Sequence, residues 1–143
     1  TRIKENTMKD NGSKTEFNLE LVHLERIGDI LFYIGTILAL ISTYQEEQSL
    51  INPEPASANN HSKTIALAGW IFLAAVLIFS TTSYLRFEEQ KSVAPENAPI
   101  SNIRNLFGSE IVTIGNFIKV IAFTLTAFGY QIKADNPLEE TNS

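Results

Sequence analysis

Cysteine is missing from this chain, and with it go disulfides, thiolate nucleophiles and sulfur metal ligands. Histidine is scarce. His23 and His61 stand on separate segments, so no metal site built on histidine is expected within one chain. Lysine and arginine form no block; acids and bases are interspersed and the net charge is −5, which argues against nucleic acid as a partner. There is no serine-nucleophile motif, no HExxH, no phosphate-cradling loop and no acidic pair inside an apolar run. These absences point away from an enzyme and from any cofactor.

What the chain does have is length without charge. The 22 residues from Thr64 to Leu85 carry no charged side chain. A helix of that length covers about 33 Å, enough to cross the hydrocarbon core of a bilayer. Lipid offers the backbone no hydrogen-bond partners, so such a segment crosses as a helix. Mean hydropathy is only +0.01, because polar tails and loops dilute three apolar runs.

The pattern predicts an all-α integral membrane protein with three transmembrane helices in a small bundle, expected to be oligomeric. Residues 1–16 are polar and read as a disordered cytoplasmic tail. An amphipathic lead-in and the first span follow over 17–44, the apolar part running from Ile27 to Tyr44. Residues 45–63 read as an external loop, with Pro53, Pro55 and Asn59-Asn60 as turn signals. The second span is 64–85. A cytoplasmic loop over 86–110 contains Pro95 and Pro99, then Ile103, Leu106 and Phe107, which resemble a short interfacial helix. The third span is 111–132 and an external tail covers 133–143. No signal-peptide pattern precedes the first span, which reads as a signal anchor rather than a cleaved leader.

Orientation follows from the positive-inside rule. The N-terminal segment carries five basic residues (Arg2, Lys4, Lys9, Lys14, Arg26) and the second loop three (Arg86, Lys91, Arg104). The first loop has Lys63 and the tail Lys133. The N-terminus is therefore expected in the cytoplasm and the C-terminus outside, in the plasma membrane.

A few residues are out of place in lipid. Lys119 lies within the third span, where a cation costs a few kcal/mol or more. It can reach back toward the headgroups, or it can pair with Asp29 near the start of the first span. Spans one and three run parallel in this topology, and both residues lie toward their cytoplasmic ends. At 100° per residue Asn116, Lys119 and Thr126 share a face with Tyr130, opposite Ile114, Ile118 and Leu125. That face is either a packing seam or the lining of an oligomeric pore. On the first span Gly28, Gly35 and Ser42 recur every seven residues, and Gly35 and Ala39 form a small-x-x-x-small pattern. Small residues let helix backbones approach closely, so this is a candidate helix contact. Asp29, Thr36 and Thr43 make a more polar stripe beside it.

The expected function is that of a non-enzymatic structural or accessory subunit of a membrane assembly. Its partners are then the lipid bilayer, further copies of itself or other membrane subunits. The alternative is an oligomeric ion channel or small transporter lined by the polar face of the third span.

Overall fold

In the computed structural model the chain folds into three long helices: α1 (Arg2–Ile51), α2 (Pro55–Val93) and α3 (Ile100–Asp135). The structure describes residues 2–53, 55–93 and 99–136, with side chains over 12–53, 60–93 and 99–136. Gly12–Ile51, Asn60–Val93 and Ile100–Asp135 are each long and apolar enough to cross a membrane.

Proline sets the breaks. No proline occurs between residues 2 and 51, and a helix already nucleated by an apolar span extends at little cost into its polar flanks. Residues 2–16, expected as a disordered tail, therefore continue α1, and Gln45–Ile51 extends it beyond the apolar run. Pro53 follows the end of α1, and Pro55 opens α2 as its first residue, a position where the missing N–H costs nothing. The expected loop over 45–63 thus contracts to the few residues between Ile51 and Pro55. Pro99 is the N-cap of α3, and its carbonyl accepts from Asn102 N–H at 2.9 Å. From there α3 is unbroken through Asp135, so residues 100–110 are its first turns rather than a separate interfacial helix. Pro95 and the tail from Pro137 to Ser143 lie outside the described residues.

α2 is the centre of the molecule. It packs on both α1 and α3, whereas no Cα of α1 lies within 8 Å of one in α3 among the described residues. Both contacts are antiparallel, so α1 and α3 run parallel. The packing is made by small groups. Ala68 and Ala75 are fully buried, and Ala66, Ser80 and Thr82 nearly so. A Cβ built on Gly28 would lie 2.7 Å from the Phe79 ring, and one on Gly35 2.9 Å from Phe72. On the other side Gly69 sits over the Ala127 backbone, with 3.2 Å between its built Cβ and Ala127 Cα.

Large apolar side chains face outward instead. Leu40 is 70% exposed, Leu125 69% and Ile121 63%. Water would penalise so much exposed apolar surface; a lipid solvent does not. Three apolar helices, small residues inside and branched aliphatics outside are together compatible with a membrane location.

Candidate interhelical groove

The residues that sequence reasoning singled out separate into two sites. Gly28, Gly35 and Ser42 turn toward α2. Both glycines are buried beneath phenylalanine rings, and Ser42 Oγ donates to the His61 carbonyl at 2.9 Å. Ala39, half-buried, lies on the same side of α1. This small-residue face is occupied within the chain.

Asn116 also turns toward α2. Its amide donates to Ser83 Oγ at 3.0 Å and lies 3.5 Å from the Phe79 carbonyl. Thr113, one turn earlier, has its hydroxyl within reach of the Ser83 and Ser109 carbonyls, and Ser109 donates to Gln90 Oε1. At the far end Trp70 Nε1 donates to Gln131 Oε1 at 2.9 Å, beside an edge-on contact with Phe128. The α2–α3 seam is therefore hydrogen-bonded toward both ends, around Thr113 and Asn116 and again at Gln131.

Lys119 and Thr126 remain on the exposed side. Lys119 Nζ donates weakly to Asn116 Oδ1 at 3.4 Å, and Thr126 satisfies its hydroxyl on the Ala122 carbonyl. Lys119 belongs to an open groove of about 460 Å³ between α1 and α3. The α1 wall carries Asp29, Phe32, Tyr33 and Thr36; Val76 and Phe79 of α2 contribute, and Lys119 and Phe123 stand on α3.

Three rings tie the helices together at this point. Phe32, Phe72 and Phe123, one from each helix, lie 4.9 to 6.4 Å apart between centroids. This junction fixes the relative height of α1 and α3. Asp29 is three residues before Phe32 and Lys119 four before Phe123, so the two stand within about one residue rise, roughly 1.5 Å, of the same level. They share the groove, yet no ion pair joins them.

Among the described residues the ion pair is elsewhere, between Arg86 Nη2 and Glu25 Oε2 at 2.7 Å. Sequence reasoning missed it, although the signal was present: Arg86 is the first charge after the second span, and Glu25 stands just before the first. Antiparallel neighbours bring those two boundaries together. Arg86 also borders a cleft of about 420 Å³ with Arg104 and Gln90, while its own Nε is buried without a partner.

A second feature was missed. Gly108, Gly115 and Gly129 have open space where a Cβ would stand, and Ala122 is exposed. These four recur every seven residues along α3. Gly115 and Ala122 lie about 40° and 60° round the helix from Lys119, on the side away from Asn116. The heptad spacing that revealed Gly28, Gly35 and Ser42 reveals this stripe as well. The α1 stripe is filled by α2, and the α3 stripe is bare.

Comparison with protein-family models, with curated proteins and with solved structures finds no match to this chain. The chemistry of the groove has to speak for itself. No group of three or more His, Asp or Glu suited to holding a metal occurs among the described residues.

Proposed function

We propose that this protein is a non-enzymatic structural or accessory subunit of a membrane assembly, joined to its neighbours through transmembrane helix faces. It lies in the plasma membrane with its N-terminus in the cytoplasm and its C-terminus outside. The observation that carries this reading is the open groove between α1 and α3. It holds two charges that no ion pair joins, Asp29 and Lys119, between apolar walls, and within a bilayer each would be costly. A neighbouring helix laid in the groove would cover both charges and meet the bare small residues of α3.

A channel lined by Asn116, Lys119 and Thr126 has less support. Asn116 is engaged with Ser83 and Thr126 with its own helix, which leaves one lysine of the three groups free for water.

A photo-reactive side chain placed at Tyr33, on the groove wall, and at Ile121, on the outward face of α3, tests the reading in native membranes. Polypeptide adducts are expected from Tyr33 and lipid adducts alone from Ile121. Lipid adducts alone from both positions would remove the proposal.

A further inference from the structure

We infer that the occupant of the groove is the same groove of a second copy, bound so that Asp29 of each chain pairs with Lys119 of the partner subunit. The inference rests on the assembly reading above and names its partner.

The argument is one of charge and symmetry. Two copies inserted in the same sense can be related by a two-fold axis only along the membrane normal, and rotation about that axis leaves every residue at its own depth. A residue can then meet a complementary one across the interface only where the chain already carries both at one level. Asp29 and Lys119 meet this condition, through the Phe32–Phe123 contact that sets α1 against α3. With the axis running along the groove, α1 of one copy faces α3 of the other. Each carboxylate is then presented to the partner's Lys119, and the contact is made twice.

The walls suit the approach. The Thr36 hydroxyl donates to the Phe32 carbonyl and brings no unmet donor into the interface. Gly115 and Ala122 flank Lys119 with no side chain beyond Cβ, so α1 of the partner can come close. Four parallel helices, α1 and α3 from each copy, would then enclose the two ion pairs, with each α2 on the outside. Pairing lowers the cost of both charges where water is scarce. In the single chain Lys119 has only a 3.4 Å bond to Asn116.

Complementary charge reversal separates this arrangement from a pair made within one chain. Asp29→Lys and Lys119→Asp are placed in separate copies carrying different tags and co-expressed. Membranes are extracted as lipid discs and captured on both tags in succession. Mixed dimers restore both ion pairs, while matched dimers of either variant oppose like charges twice. Mixed dimers are expected to exceed matched ones by about tenfold. Equal numbers, as a pair within one chain requires, or wild-type discs holding single copies would overturn the inference.

Should a reversal prevent insertion, the neutral Asp29→Asn and Lys119→Met carry the same test. Each is expected to lower the dimer fraction several-fold at a fixed protein-to-lipid ratio, and an unchanged fraction overturns the pairing. The photo-reactive Tyr33 variant tells the two proposals apart. Adducts with a second copy support both. Adducts with a different polypeptide overturn the second copy but leave the accessory role standing, and adducts with lipid alone remove both.

Discussion

Gly35 illustrates how one residue carries a helix contact. The Phe72 ring lies where its Cβ would be, at 2.9 Å, and the same ring meets Phe32 and Phe123. A methyl group at Gly35 pushes on a ring that holds three helices together. Gly35→Ala is expected to cost about 1–2 kcal/mol, as overpacking does, measured by unfolding in mixed micelles. Adding Phe72→Leu to the same chain should return part of that loss. A Gly35→Ala protein as stable as the parent would show that α1 and α2 are not seated ring on glycine. Gly115→Ala, where nothing lies within 4 Å, is the matched control and should be close to neutral within the single chain. The spacing of Gly28, Gly35 and Ser42 was visible in the sequence. Which helix they meet was not, since seven-residue spacing marks a stripe on α1 and carries no information about its partner.

At the scale of the element, α3 has three faces where a helical wheel suggested two. Asn116 and Lys119 are only about 60° apart, yet the edge of the α2 contact falls between them. Asn116 bonds to α2 and Lys119 opens to the groove. Hydropathy periodicity separates polar from apolar, but it cannot divide a polar stripe between a protein neighbour and open space. Replacing Asn116 by Leu is expected to weaken the α2–α3 seam by about 0.6 kcal/mol, and by no more than about 1.7, the range found for single interhelical hydrogen bonds. Steric-trap or denaturant unfolding in a lipid environment measures this. A Lys119→Leu variant should leave the seam unchanged. If Lys119→Leu loosens α3 as much as Asn116→Leu does, the division of the stripe is mistaken. Helix ends follow the same logic. The prolines at 53, 55 and 99 were readable as breaks, but how far α1 and α2 run past their apolar cores was not. Helix extension through Gln45–Ile51 is driven by propagation from the span rather than by local composition.

Among the described residues the molecule is a central helix flanked by two whose Cα atoms stay more than 8 Å apart and which meet at the Phe32–Phe123 ring contact. In the proposed orientation both termini of the α2–α3 connection and the start of α1 lie on the cytoplasmic side. The missing cysteines make this directly testable, because each introduced thiol is the sole one in the protein. Ser13→Cys and Ser92→Cys are expected to react with a membrane-impermeant maleimide only after the membrane is opened, and Ser49→Cys in intact cells. The reverse pattern would invert the topology. Inversion would exchange inside for outside yet keep Asp29 and Lys119 level, because their relation depends on α1 and α3 being parallel.

Apolar runs, turn residues and their order are local properties, and they suffice for three helices and for α1 parallel to α3. The presence of Asp29 and Lys119 toward one end of both helices follows from that order too. Which faces meet is a matter of the packed chain. Small residues on α2 let it take the centre, Phe72 and Phe79 seat themselves on Gly35 and Gly28 of α1, and one ring from each helix sets the heights. Each of these depends on side chains from distant segments filling the same space, and no window along the sequence contains both partners. The groove arises in the same way: it is the space left beside the Phe32–Phe123 contact when α1 and α3 are each packed along α2 and their backbones stay apart.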